Sequence, residues 1–256
     1  MKTAPTSNVS RGARIATFLL ASLGAYALVV RPRLVRWGAT DDEVRRPYPG
    51  AEIIPGGRRS SATMAVTIEA PPASIWPWLV QMGYERAGWY SWDHLDNLGH
   101  PSAERVHPEW QKIAPGDFLI PMPGGRGVWE VAALEPERFL GLRASVDFRG
   151  RPFDPEGKRP RLFSDSLWGF LLEELPGGRT RLVVSGYWAL EPRWLQPVAT
   201  MLLYEWTHWI MQKRQLENLK QRAEASRRRA DGAGGQTLPR RDAHADGVGS
   251  LLGANV

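Results

Sequence analysis

The spacing of apolar and polar residues divides the chain into segments of different character. "IATFLLASLGAYALVV" (Ile15–Val30) is the one uninterrupted apolar run, with Arg11 and Arg14 before it and Arg31, Arg33 and Arg36 after it. As a helix, its 16 residues reach ~24 Å, short of the ~30 Å hydrocarbon core unless the flanking arginines snorkel. Three readings fit: an uncleaved single-span anchor, a signal peptide with Ala25-Tyr26-Ala27 as its cleavage site, or a helix packed on the domain. Cations directly after the run oppose translocation and favour the anchor. The excess of Lys and Arg on that side (Arg31, Arg33, Arg36, Arg45, Arg46 against Lys2, Arg11, Arg14) favours a cytoplasmic domain.

Residues 36–60 then read as a connector, in which Thr40 or Asp41 is placed to cap a short helical turn before Pro and Gly punctuate the chain. "ATMAVTIEA" (62–70) alternates Met64, Val66 and Ile68 with Thr63, Thr67 and Glu69, the period of a half-buried strand. "PPASIWPWLVQMG" (71–83) opens a short helix at Pro72 or Ser74 and puts Ile75, Trp78, Leu79 and Met82 on one face. "DFLIPM" (117–122), "VWEVAALE" (128–135), "RFLGLRASVDF" (138–148), "SLWGFLLEEL" (166–175) and "RTRLVVSGYWAL" (179–190) are further strands, with "PGGRG" (123–127) and "PGG" (176–178) as turns. This is an antiparallel meander, not a β-α-β alternation.

From about Pro192 to Ala230 no glycine interrupts a helical pattern whose stripe holds Val198, Leu202, Trp206, Trp209, Leu216 and Ala223. Past Arg227 the chain is Gly-rich and polar, the composition of a disordered tail. The expected division is a tail and hydrophobic anchor segment (1–36), a connector (37–60), a folded domain (61–228) and a disordered tail (229–256).

Composition narrows the function classes. The absence of Cys removes disulfides, thiolate metal sites and cysteine nucleophiles. The net charge of +6 is confined to the ends: residues 1–40 carry +6 and residues 211–256 carry +4, which leaves −4 for residues 41–210. A folded region without a basic face does not fit nucleic acid, whereas basic flanks fit a membrane-proximal protein.

Strand, short helix, loop, curved meander and long C-terminal helix follow the order of a helix-grip fold. "RWGATDDEV", "VTIEAPPASIWPWLVQMG", "GWYSWDHLDNL", "HPEWQKIAPGD" and "HWIMQKRQLENLKQRAEA" together resemble the SRPBCC superfamily (START/Bet v1-like, polyketide cyclase/dehydrase-type), in a bacterial subgroup with an N-terminal hydrophobic segment. The resemblance runs from about Arg31 to Ala225. It implies an α+β helix-grip fold, with about seven antiparallel strands wrapped around the C-terminal helix and an apolar cavity between them. Members bind lipids, sterols, polyketides or other hydrophobic small molecules, and some cyclise or dehydrate them.

The candidate site residues follow from that cavity. Trp78, Met82, Trp89, Tyr90, Trp92, Trp110, Trp129, Trp168, Trp188 and Trp209 supply apolar area worth about 25 cal/mol per Å² buried. Trp89, Tyr90, Trp92 and Trp110 are expected to cover its open end. Glu205, His208 and Gln212 share one side of the long helix and are placed to meet a ligand hydroxyl or carbonyl. Glu205 reads either as a proton acceptor or as the ion-pair partner of Arg143 or Arg181.

His94, His100 and His107 have no metal-ligand spacing and read as loop residues. The resemblance puts an aromatic where this chain has His94. Asp93 with Asp96, or Glu104 with Glu109, reads as loop capping rather than an acid pair. Neither a phosphate-binding glycine loop nor a G-x-S-x-G elbow is present, so no cofactor or metal is expected. The sequence favours a membrane-tethered carrier of a hydrophobic small molecule or lipid. The alternative is a cyclase/dehydratase-type enzyme using Glu205 or His208 as acid/base.

Overall fold

The computed structural model describes residues 11–122, 124, 127–200 and 204–234. The predicted meander is a curved antiparallel sheet of β1 (Arg58–Arg59), β2 (Met64–Ile68), β3 (Phe118–Leu119), β4 (Trp129–Glu135), β5 (Phe139–Asp147), β6 (Phe163–Leu175) and β7 (Arg179–Glu191). β1 and β2 both lie along β7, followed in order by β6, β5, β4 and β3. β6 and β7 are its spine, paired from Phe163↔Glu191 to Leu175↔Arg179. A register shift between Val131 and Ala133 interrupts the β4–β5 ladder, a local bend of the kind that curls a sheet.

The helices are α1 (Arg11–Ala25), α2 (Arg31–Val35), α3 (Asp41–Arg45), α4 (Pro72–Val80), α5 (Asp93–Asp96), α6 (Leu195–Ala199) and α7 (Glu205–Gly234). A π-helical turn, Tyr26–Val30, joins α1 to α2.

Period two sorts the strand residues onto two buried faces. Met64, Ile68, Leu140, Leu142, Phe170, Leu172, Leu182 and Val184 look inward, against Ile75, Trp78 and Leu79 of α4 and Leu216, Leu219 and Ala223 of α7. Each such apolar side chain contributes about 1.5–3 kcal/mol by leaving water. α7 is also tied by polar bonds: Asn218 Nδ2 donates to Tyr90 O (2.8 Å), Lys220 Nζ to Thr67 O (2.8 Å) and Arg222 Nε to Ala103 O (2.9 Å). The stripe therefore continues through Leu219, Gln215 and Asn218.

Its first turns differ from expectation: Trp206 points outward and stacks on Tyr26 (5.2 Å). Leu202 and the side chain of Val198 lie outside the described residues. So do most of the "PGGRG" turn and residues 235–256, while α7 continues as helix through Gly234, past the expected start of the tail at 229.

The segment read as a connector covers the outer face of the sheet. Thr40 caps α3 through a reciprocal pair with Glu43, which satisfies N–H groups that the helix leaves open. Tyr48 and Ile54 pack on Ala65, Phe139, Leu167, Leu171 and Val183. Tyr48 donates its hydroxyl to Val183 O (3.0 Å), Tyr187 donates to Tyr48 O (2.7 Å), and Arg181 grips Glu43 through both oxygens (2.7 and 2.9 Å). Gly169 on β6 makes room for this cover, because a Cβ there would lie 2.8 Å from the Tyr48 ring.

At the N-terminus the helical run is longer than the apolar stretch. Gly12–Val35 is 24 residues, long and apolar enough to cross a membrane, or ~36 Å as a helix. Most of its side chains stay clear of the domain, Phe18 being 71% and Leu28 80% exposed, but towards its C-terminal end Tyr26 stacks on Trp206 and Val35 is buried. Arg31 reaches the domain as well, its Nε and one terminal nitrogen donating to the two Glu205 oxygens.

Candidate functional site

Along α7 towards its N-terminus the buried stripe changes from Leu216 to Gln215, Gln212 and His208. Opposite, the inward residues of β6 run from Phe170 through Trp168 to Ser166 and Ser164. Two serines cannot fill the space that leucines would, so sheet and helix part there. The gap is a cavity of about 580 Å³, within the usual range for a small-molecule site.

Trp89, Trp129, Trp168, Trp188, Tyr204, Met122 and Met211 supply its apolar wall; Ser60, Ser91, Asp96, Ser164, Ser166, His208, Gln212 and Gln215 supply its polar positions. No Lys or Arg is among the described lining residues.

Hydrogen bonds fix the indoles. Trp168 Nε1 donates to Gln212 Oε1 (2.9 Å), Gln212 Nε2 to Gln215 Oε1 (2.7 Å), and Gln215 Nε2 to Trp89 O (2.8 Å). Trp188 Nε1 donates to Ser164 Oγ (2.7 Å) and Trp89 Nε1 to Pro121 O (2.9 Å). Trp168 also touches the rings of Trp89 (5.7 Å), Trp129 (5.4 Å) and Phe170 (4.8 Å). With these N–H groups occupied, the indoles offer the cavity their faces.

The segment 88–103 builds one wall by an unusual turn. Gly88 has φ +73°, and a Cβ there would meet Ser102 Oγ at 2.6 Å. Tyr90 also has a left-handed φ, 58°. Trp89 and Ser91 line the cavity, while Tyr90 is sealed in the core with its hydroxyl accepting from Gln81 Nε2 (2.7 Å). Asp93 caps the segment, taking Ser102 N (3.1 Å) and Ser102 Oγ (2.6 Å).

Three titratable groups face the cavity with altered properties. Burial, reinforced by neighbouring Asp93, pushes the Asp96 carboxyl up to about 6. Burial pushes His208 down to about 4, so its ring is neutral at physiological pH. Burial raises Tyr204 to about 12. His208 stacks on Tyr204 at 4.8 Å, and Tyr204 leans on Trp188 at 5.4 Å.

Of the predicted site residues, the structure brings Trp89, Trp129, Trp168, Trp188, His208 and Gln212 to this cavity. Trp78 and Met82 are sealed in the core beneath α4, and Trp209 packs at its edge. Trp92 is 46% exposed on the outer side of α7, its indole donating to Ile210 O (3.3 Å) under the Arg214 guanidinium. Trp110 stacks on His107 (4.3 Å), with its carbonyl held by Arg86. The four aromatics expected to cover the opening therefore do not act together as a lid: Trp89 lines the cavity, Tyr90 is sealed in the core, Trp92 lies outside α7 and Trp110 stacks on His107.

Glu205 does not pair with Arg143 or Arg181. Those arginines belong to the outer face, where Arg143 binds Asp165 (3.0 and 2.9 Å) and Arg181 binds Glu43. Glu205 sits at the start of α7 against the end of the apolar run, held by Arg31 (2.7 and 2.6 Å) and Ser61 Oγ (2.9 Å).

Sequence reasoning passed over Ser91, Ser164, Ser166, Tyr204, Met211 and Gln215, and it read Asp96, which lines the cavity, as a loop cap. The Ser164/Ser166/Trp168 alternation and the helical spacing of His208, Met211, Gln212 and Gln215 were their signals. Among the described residues no three His, Asp or Glu converge as a metal site. A second groove, more open and of mixed lining, runs between Arg46, Glu137, Arg138 and Glu173 on one hand and Pro47, Pro71, Pro72 and Leu171 on the other, and its Arg46–Glu173 pair is closed at 2.5 Å.

No curated protein matches the chain by sequence. Among solved structures it is similar to a protein from Arthrobacter aurescens (16% identity, 64% of this chain and 85% of that one, TM-score 0.36). It is also similar to DynU16 of the dynemicin biosynthetic locus (18%, 62% and 46%, TM-score 0.36) and to Ms6760 from Mycobacterium smegmatis (19%, 64% and 87%, TM-score 0.34). Residues 59–224, from β1 to within α7, match the family described as polyketide cyclase/dehydrase and lipid transport. With that match over more than half its length and a sheet gripping one long helix, the chain belongs to this family of the SRPBCC superfamily.

Proposed function

We propose that the protein is a membrane-tethered carrier that holds a hydrophobic small molecule, lipid- or polyketide-like, between the sheet and α7. The observation that carries this reading is the 580 Å³ cavity walled by four indoles, of which Trp89, Trp168 and Trp188 have their N–H groups already bonded. Such a wall holds an apolar ligand by area, at about 25 cal/mol per Å². The exposed Gly12–Val35 helix supports the tether, and its Arg31–Glu205 bond sets the base of the anchor beside the N-terminal end of α7, next to Tyr204 and His208.

The enzyme reading has less support. Glu205 is outside the described cavity wall and engaged by Arg31 and Ser61, and a histidine titrating at about 4 is a weak base at neutral pH.

Native mass spectrometry of the full chain released from detergent tests the carrier. The expected result is a retained apolar ligand that exchanges with added apolar molecules unchanged in mass. Recovery of the added molecule less one water would establish a dehydratase instead. An empty protein that binds no apolar probe would refute both readings.

A further inference from the structure

Asp96 is the acidic residue of the described cavity wall. It is 4% exposed, and the Ser91 hydroxyl and its own backbone N–H lie close enough to favour its charged form, yet neither carboxyl oxygen has a hydrogen-bond partner of good geometry. The Ser91 hydroxyl on the same wall, in a residue 8% exposed, is also without one. The other buried carboxylates among the described residues all have well-aligned donors. Asp165 takes Arg143, Arg159 and Ser145, Glu43 takes Arg181 and the α3 cap, and Glu205 takes Arg31 and Ser61. Buried polar groups in folded proteins are paired almost without exception, and an unpaired carboxylate is the costliest to leave. Apart from their weak contact with each other, Asp96 and Ser91 lack the well-aligned, charge-balancing donor that every other buried carboxylate of the described residues has.

The rest of the wall says which donor. A carboxylate or phosphate end of a ligand would be repelled by Asp96 and would meet no Lys or Arg among the described lining residues. A hydroxyl would satisfy one oxygen and leave the charge uncompensated. An ammonium group neutralises the carboxylate and gains from the faces of Trp89, Trp129, Trp168 and Trp188, whose negative π-surfaces attract cations.

We propose that Asp96 and Ser91 form the polar anchor of the cavity, selecting an apolar molecule that ends in a protonated amine. The ammonium ion-pairs with Asp96 and donates to Ser91, and the apolar frame lies along the indole wall. This rests on the carrier reading and narrows its ligand class.

The test is calorimetric titration of the full chain in nanodiscs with three probes sharing one apolar cage: 1-adamantylamine, 1-adamantanol and adamantane-1-carboxylate. The amine is expected to bind at least ~10-fold more tightly than the alcohol, and the carboxylate more weakly than either. Asp96→Asn should remove the amine's advantage while leaving alcohol affinity within ~3-fold. Ser91→Ala, which adds no new polar group, should lower amine affinity several-fold and serves if the Asp96 variant does not fold. An alcohol that binds as tightly as the amine, or a preference that survives Asp96→Asn, overturns the anchor and leaves the carrier standing. If none of the three binds and a larger apolar dye does not either, the carrier itself falls.

Discussion

A carboxylate kept buried for a ligand should weaken the empty protein, and Asp96 allows the size of that penalty to be worked out. Its carboxyl titrates at about 6, against an ordinary value of 3.8. Each pH unit between the two is worth ~1.4 kcal/mol, so the ionised carboxylate costs the fold about 3 kcal/mol at most, against a total stability of roughly 5–15 kcal/mol. Below about pH 4 both native and unfolded chains hold the proton, and there is no penalty. Between about 4 and 6 the native state keeps a proton that the unfolded chain has released, so this group lowers stability as pH rises. Above about 6 the deficit is constant.

Asparagine carries no charge at any of these values. The difference between Asp96→Asn and wild type should therefore grow from ~0 near pH 4 to ~2–3 kcal/mol at about pH 7.5, with the variant the more stable.

His208 works in the opposite direction. Its lowered value of about 4 means that the unfolded chain binds a proton the native state refuses between there and 6.5, so its contribution rises with pH. One side of the ring faces the cavity, so its effect is discounted for solvent. In wild type the two slopes oppose each other, and only the difference between variant and parent isolates Asp96. Urea unfolding of the empty full chain at a series of pH values, followed by tryptophan fluorescence, supplies both curves. A variant no more stable than wild type near pH 7.5, or a pH-independent difference, would mean that Asp96 has a partner and refute the reasoning.

Three further outcomes follow from the buried pairs. Asp165→Ala leaves the buried Arg143 guanidinium without its main acceptor and should cost about 3–5 kcal/mol in urea unfolding, whereas Arg143→Met with Asp165→Leu should recover most of it. Gln212→Leu strips Trp168 Nε1 of its acceptor and Gln215 Oε1 of its donor. It should cost about 1–3 kcal/mol and shift the tryptophan emission of the apo protein, and an unshifted spectrum would show Trp168 free to choose another acceptor. Removing residues 1–36 takes Arg31 from Glu205, which is 3% exposed. In that truncated chain Glu205→Gln should raise the unfolding midpoint, while in the full chain the same change should lower it.

The fold was legible because its signals are local and periodic. The alternation of Met64, Val66 and Ile68 reports an inward face wherever the strand sits, and the spacing of Trp209, Leu216 and Ala223 reports a helical stripe before any partner is known. The cover on the outer face gave no such signal. Tyr48 and Ile54 sit among prolines and glycines without a period, and their role depends on Phe139 and Val183, far along the chain and brought beneath them only by the sheet.

The site was half legible for the same reason. That tryptophans would wall a cavity follows from their number and the helix-grip order, but which ones do so depends on register. A slip of one residue would turn Asp165 and Leu167 inward in place of Ser164, Ser166 and Trp168. The size gradient from Phe170 to Ser164 is written in β6, yet it becomes an opening only because α7 passes opposite with glutamines where it might have carried leucines.

Asp96 shows the limit most clearly. As the fourth residue of a one-turn helix beside Asp93 it resembles an ordinary loop acid, and its neighbour does serve as one, bonding Ser102. What separates the two is whether a donor reaches each carboxylate, a property of the folded surroundings that neither residue carries in its sequence. Glu205 makes the same point in reverse: its donor was sought on the sheet, and it arrives from Arg31, 174 residues away. Pairing decides function at both acids. The one that found a cation within the chain holds the apolar N-terminal helix to α7, and the one that found no cation is left facing the cavity.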